Sequence, residues 1–293
     1  MRQFVRRVLG RREQVFGMNR RNVELVHREN RREHYPLADD KLLAKSVLER
    51  SGVPVPETLA TCAGLFAVAP TLERLRPLEN FVVKPSHGAG GDGIVVVGER
   101  VDDQSWQRAG GQTISLAELR KHFADIVFGA FSNELEDTGF AERRVEPHPV
   151  FRELWPDGLC DIRLLVLRCR PFMAMVRVPT QRSAGRANLH SGGLGLAVDL
   201  DTGKTTRAQC GSDVVSRHPD SGTPLVGIEL PAWEKVLTAA TRAALAVPLG
   251  YLGVDVVVNA DAEPLILEIN ARPGLEIQNV HGVGIGRALR EAS

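Results

Sequence analysis

The chain has 293 residues, 43% of them apolar and 25% charged, with a net charge of +1. Those are the proportions of an ordinary globular protein, long enough for one large domain or two small ones sharing a core, and the near-neutral balance gives no support to DNA binding. The four cysteines, Cys62, Cys160, Cys169 and Cys210, form no C-x-x-C pair, which suits neither a zinc site nor a disulfide framework, and no apolar run is long enough to cross a bilayer. The arginines at the start have no hydrophobic segment behind them, so no secretory signal is read and a cytoplasmic setting is expected.

Residues 1–34 contain ten arginines, offset in part by Glu13, Glu24, Glu29 and Glu33, and Phe4, Val8, Val15, Val23 and Val26 give a weak helical period. Two readings stand: a basic arm that contacts an acidic surface, or a helix packed on the body of the protein. Residues 37–51 read as a helix, with Asp39 as its cap, an apolar face of Leu42, Leu43, Val47 and Leu48, and Gly52 at its end. Lys41 and Lys45 lie on it. The prolines of Val53-Pro54-Val55-Pro56 enforce an extended segment.

Phe81 to Val97 reads as strand, glycine-rich loop, strand. Lys84 closes the first strand, and Gly88, Gly90, Gly91 and Gly93 let the backbone fold over a polyphosphate and aim N–H groups at it. A Walker loop needs G-K-[ST] followed by a helix, and a Rossmann turn also opens a helix; neither is present. A plain hairpin with a long tip is the alternative. Residues 99–113 read as surface loop, and Ser115 with Glu118 forms a capping box for a helix reaching about residue 132.

Phe140 to Val145 reads as a strand with Glu142 and Glu146 near its end. Asp161 to Arg170 and Phe172 to Pro179 read as paired strands carrying Asp161, Arg163 and Arg177 among apolar residues. The polar loop 180–193 holds Arg182, Arg186, Asn188 and His190; arginines there suit planar carboxylates and phosphates. Another hairpin is expected around residues 201–204, irregular chain from 209 to 224, and a helix from Pro231 with an apolar stripe of Trp233, Val236, Leu237, Ala240 and Ala244.

Tyr251 to Gly274 reads as two antiparallel strands joined at residues 259–263. The alternation brings Asp255, Glu268 and Asn270 to one face among apolar neighbours. Two carboxylates and an amide oxygen are hard ligands that suit Mg²⁺ carrying nucleotide phosphates. The alternative is two solvent-facing acids on an edge hairpin.

In their order, "DDKLLAKSVLERSGVPVPET", "VVKPSHGAGGDGIVVV", "DIRLLVL", "RANLHSGG" and "GVDVVV…PLILEINARPGLE" resemble the ATP-grasp superfamily, most closely its α-L-glutamate ligase branch. The resemblance implies an α+β fold of two α+β subdomains holding ATP between their sheets. It places a basic arm at 1–36, a small subdomain with the phosphate loop at 37–140 and a large one with the metal site at 141–293. It implies ATP and two Mg²⁺ ions, with Mn²⁺ as a substitute. Lys41 and Lys84 would contact phosphates; Ser86, His87, Gly88, Gly90, Gly91 and Gly93 would close over them; Glu142, Val145 and Glu146 would hold the adenosine. Asp255, Glu268 and Asn270 would bind the metals. Arg163, Arg177 and Asn188 would face the transferred phosphoryl group, and Arg186, His190 and Arg272 the substrate.

The implied activity is ADP-forming ligation of a carboxylate to an amine through an acyl phosphate, adding glutamate or another amino acid to an amine-bearing acceptor such as a peptide. An ATP-binding regulator without ligase activity and a small-molecule kinase are the other classes. Relatives carry a sizeable domain ahead of the ATP-binding part, whereas only residues 1–36 precede Leu37. Either the acceptor site is built differently here, or a partner or a second copy of the chain completes it. Residues 1–34 are expected to be dispensable for ATP binding.

Overall fold

The computed structural model describes residues 15–88, 90–108, 111–133 and 135–291. The arginines and apolar positions read at 1–14 lie outside them. The chain divides into two compact units, a smaller one of residues 40–42 and 55–146 and a larger one formed by the remainder. No helix among the described residues is long and apolar enough to cross a membrane.

The smaller unit holds β1 (Thr58–Cys62), β2 (Phe81–Pro85), β3 (Val95–Asp102), β4 (Ser105–Arg108), β5 (Thr113–Ser115) and β6 (Gly139–Arg143). They form one antiparallel sheet in the order β1-β6-β2-β3-β4-β5. Phe81 and Val83 alternate inward, as do Val95 and Val97, and the helices Leu65–Leu75 and Leu116–Val127 contribute Leu72, Leu119 and Phe123 to the same core. The capping box is present: Ser115 Oγ accepts from Glu118 N–H at 3.2 Å and Glu118 Oε2 accepts from Ser115 N–H at 2.8 Å. Residues 99–113 differ from the loop expected of them. Trp106 is fully buried, donates its indole N–H to the Leu78 carbonyl at 2.9 Å and meets Phe81 edge-on at 6.1 Å. One large aromatic draws a polar stretch into the sheet as β4.

The larger unit holds β7 (Asp161–Leu167), β8 (Arg170–Val178), β9 (Leu194–Val198), β10 (Thr205–Cys210), β11 (Asp213–Val215), β12 (Tyr251–Val258) and β13 (Pro264–Asn270). The order is β11-β10-β9-β8-β7-β12-β13 with antiparallel neighbours. β11 lies in what read as irregular chain. Asn259 closes the last hairpin by accepting from Asp261 N–H and Glu263 N–H at 3.0 and 2.8 Å. The helix Trp233–Ala246 covers one face, opposite β12, β13, β7 and β8, where Ile162, Leu164, Val254 and Val256 are buried.

The other face has two ends. At one lie Leu165, Met173, Met175 and Tyr251, packed with Phe16, Leu25, Val26 and the helix Glu276–His281. At the other lie the charged residues described below. Residues 16–39 thus belong to the larger unit. Gln278 Oε1 accepts from Phe16 N–H at 2.8 Å, and Arg21 donates to the Pro273 carbonyl at 2.9 Å. Asn30 is 3% exposed; it donates to the carbonyls of Tyr251 and Ala271 at 2.8 and 3.0 Å and accepts from Tyr251 N–H at 2.9 Å. The segment is tied to the turn that follows β13 and contributes to the fold of the larger unit. Asn30→Ala leaves three buried backbone groups unpaired and should lower unfolding stability by about 3 kcal/mol. Urea unfolding measures this; an unchanged midpoint would show that the segment does not contribute to the fold.

Candidate functional site

Strand register assembles the charged end of the face. Asp255 on β12 lies opposite Glu268 on β13 and Arg163 on β7, while Asp161 on β7 lies opposite Arg177 on β8. Asn270 pairs with Gly253, two residues from Asp255 and therefore on the same face. The side chains meet accordingly. Arg163 grips Asp255 with two bonds, Nε to Oδ1 at 2.7 Å and Nη2 to Oδ2 at 2.6 Å. Arg177 grips Asp161 likewise, at 2.6 and 2.7 Å, and its Nη2 also reaches Asp255 Oδ2 at 2.8 Å. Asn270 Nδ2 stands 3.5 Å from the same oxygen. Paired guanidinium–carboxylate geometry of this kind is the strong form of the contact.

The two carboxyls titrate in opposite directions. Burial raises the Asp255 carboxyl, but Arg163 and Arg177 outweigh it and hold the group below its ordinary value. Burial also raises Asp161; Arg177 opposes, the Asp255 charge adds to the rise, and the group is pushed up to about 6. The asymmetry has a geometric cause: Asp255 receives two guanidiniums, whereas Asp161 receives one and shares it. For Arg177, desolvation favours the neutral form, yet Asp161, Asp255 and Glu268 prevail and raise its pKa.

The donor chemistry fits a hard divalent cation. Asp255, Glu268 and Asn270 offer oxygen donors from facing register positions, the donor type that such a cation takes. Asp255 Oδ1 accepts one guanidinium N–H, so one lone pair on that oxygen remains available. The three predicted metal ligands are brought together with Arg163 and Arg177. Asp161, never assigned a role from the sequence, belongs to the same cluster; its signal was the D-I-R alternation that sets it on the Arg163 face.

In the smaller unit, Lys84 Nζ donates to Glu142 Oε1, both largely buried, and Lys41 Nζ donates to the Gly88 carbonyl. The helix Lys41–Arg50 is capped by Asp40, whose Oδ1 accepts from Leu42 N–H at 2.9 Å and from Ser86 Oγ–H; Asp39, the predicted cap, ends the short helix Pro36–Asp39 instead. Asp137 secures the root of the glycine loop, accepting from His87 N–H at 3.1 Å and standing 2.8 Å from His87 Nδ1. Asp137 is buried and lies fifty positions along the chain, which is why sequence spacing did not single it out. Gly90, Gly91 and Gly93 have φ of +66°, +86° and +74°, so the loop needs glycine there. Val145 is half-buried and Glu146 exposed just beyond β6.

Arg186, Asn188 and His190 lie on the loop leaving β8. Asn188 caps a short turn by accepting from His190 N–H at 3.0 Å. Arg272 already holds a carboxylate of its own chain: Nη2 donates to both oxygens of Asp39 at 2.7 Å, with the guanidinium 4.8 Å above the Tyr35 ring.

The raised Asp161 carboxyl makes a signed prediction. The folded protein binds a proton there between about pH 4 and pH 6 that the unfolded chain has released, so this group's contribution to stability falls as pH rises through that window. The stability gap between wild type and Asp161→Asn should therefore widen on going from pH 7 to pH 4.5, in urea unfolding at each pH. A gap that narrows would mean that pairing with Arg177 outweighs burial and keeps Asp161 ionised.

Comparison with known proteins agrees with this architecture. Two proteins of Xanthomonas oryzae pv. oryzae, strains MAFF 311018 and KACC10331 / KXO85, each named probable alpha-L-glutamate ligase, are 25% identical over 258 residues, covering 86% of this chain and 63% of theirs. The chain thus spans less than two thirds of those relatives. A solved biotin carboxylase–beta-gamma-ATP complex from Campylobacter jejuni superposes with a TM-score of 0.54 at 16% identity, covering 87% of this chain and 46% of that one, a likeness of fold. The α+β fold with its two antiparallel sheets is an ATP-grasp fold. The profile of the family described as sugar-transfer associated ATP-grasp matches residues 20–292, and the chain belongs to that family.

Proposed function

We propose that this chain is an ADP-forming ligase that joins a carboxylate to an amine through an acyl phosphate, with glutamate or another amino acid as the acid. The observation that supports it most is the set of Asp255, Glu268 and Asn270 on facing strands beside two largely buried arginines. The likeness to probable glutamate ligases points the same way, and the family's description adds amine-bearing sugars to the acceptors worth testing.

In this reading Lys41, Lys84 and the loop from Ser86 to Gly93 bind the nucleotide phosphates, with Asp40 and Asp137 fixing the loop's root. Glu142, Val145 and Glu146 line the adenosine end. Asp255, Glu268 and Asn270 would hold magnesium, which when bound neutralises charge on phosphoryl oxygens. A carboxylate oxygen of the acid attacks the γ-phosphorus of ATP, and ADP leaves. The amine nitrogen then attacks the acyl carbon, the carbon–oxygen bond to phosphate breaks, and the amide forms with loss of one proton. Arg163 and Arg177 neutralise charge on the transferred phosphoryl group and on the tetrahedral intermediate. Asn188 lies beside them in this scheme, and Arg186, His190 and Arg272 orient the substrate. For Arg272 to bind a substrate carboxylate, Asp39 must give up the guanidinium.

Two variants separate metal binding from folding. Glu268→Gln should lower ADP release by about a hundredfold or more and leave the protein cooperatively folded. Wild-type ADP release from it would refute the metal assignment. Asp255→Ala should also abolish turnover, but at a cost of about 3 kcal/mol in stability, because it leaves the largely buried Arg163 guanidinium without its carboxylate. The activity itself is tested by ADP release against pooled amino acids crossed with amines, peptides and amino sugars, with mass spectrometry of products. ADP and phosphate release that requires both an acid and an amine supports the ligase. A stable phosphorylated product would make it a kinase, and nucleotide binding without turnover a regulator.

A further inference from the structure

Asp255 has two claims on it. It is the buried carboxylate that the proposed magnesium would use, and it anchors two largely buried guanidiniums. A doubly charged cation and two guanidiniums on one desolvated carboxylate repel one another strongly, because little water is present to screen them. The two arginines are not equally placed to yield. Both carboxylate bonds of Arg163 go to Asp255, at 2.7 and 2.6 Å. Arg177 makes two bonds to Asp161, at 2.6 and 2.7 Å, and one to Asp255, at 2.8 Å. A cation that takes over Asp255 removes both carboxylate bonds from Arg163 and only one of three from Arg177.

Resting on the ligase reading above, we infer that binding of the metal–nucleotide displaces Arg163 from Asp255 while Asp161 keeps Arg177 in place. Before the nucleotide arrives, the guanidiniums stand in for the metal and neutralise a carboxylate that burial would otherwise make very costly. Afterwards Arg163 is the cation released, and it turns to the anionic group of the acid substrate. Arg177 stays as a fixed charge. Asp161 is a positioning residue: it touches no reacting atom and acts through Arg177. This also gives a reason for a second carboxylate in a site whose metal set is already complete without it.

Side-chain nitrogen NMR of the full chain reads this directly, because a guanidinium Nε–H held against a carboxylate is protected from solvent exchange. The Nε–H signals of Arg163 and Arg177 are assigned through their own side-chain correlations, without mutation. Spectra are taken with no addition, with Mg²⁺ alone, with a non-hydrolysable ATP analogue alone and with both, alongside calorimetry of analogue binding. The expected result is that Mg²⁺ plus analogue abolishes the protected Arg163 signal and leaves that of Arg177. In Asp161→Asn the same addition should abolish both; if that variant does not fold, the wild-type spectra decide. Metal-dependent analogue binding with both signals unmoved, or with Arg177 lost and Arg163 kept, would overturn the inference and leave the ligase reading standing. Absence of metal-dependent binding in calorimetry would overturn both.

Discussion

A carboxylate that is 2% exposed cannot remain ionised unaided, and the larger unit is arranged around that constraint at Asp255. Desolvation of an isolated charge in a protein interior costs several kcal/mol even after relaxation. The offset comes from the neighbouring strands. β7 supplies Arg163 directly opposite, and β8 supplies Arg177 one step further along. Antiparallel order and register, rather than loop conformation, bring the charges within bonding distance. The strand pairing fixes the backbone positions from which these side chains reach one another.

The same sheet face changes character along its length. Toward Tyr251 it is apolar and covered by Phe16, Leu25 and Val26; toward Asp161 it is charged. The N-terminal segment does more than cover it. Asn30 bonds to Tyr251 and Ala271, and Arg21 to the carbonyl of Pro273, so the segment braces the turn immediately after Asn270. The arginines of this stretch disguise its role in the sequence. Arg21 is nearly buried, whereas Arg28, Arg31 and Arg32 are exposed, and charge counting cannot tell them apart.

Periodicity served well where one face of an element is buried. The strand bearing Val83 alternates clearly, the strand bearing Glu268 does so over most of its length, and the Ser115–Glu118 box marked its helix, whereas the strands bearing Arg163 and Asp255 are buried on both faces and stood out by charged residues among apolar ones. It failed where a single side chain decides. Trp106 pulls a polar stretch into the smaller sheet, and the helix Pro149–Leu154 is too short to show a period. At the site, the three oxygen donors were legible because they fall two residues or one turn apart on a hairpin. What was not legible is pairing across distance: Asp161 with Arg177, Asp137 with His87, Arg272 with Asp39. Each depends on which strand or loop lies alongside, a property of topology and not of spacing.

The central claim is that Asp255 and Glu268 together hold the cation that accompanies the nucleotide. Crystals grown with Mn²⁺ and a non-hydrolysable ATP analogue test it most directly, since manganese is located by its anomalous scattering without reference to the protein atoms. The account predicts an anomalous peak bonded to Asp255 and Glu268 and to phosphate oxygens of the analogue. A peak elsewhere, or bound analogue with Asp255 still clasped by both arginines and no metal beside it, would contradict it.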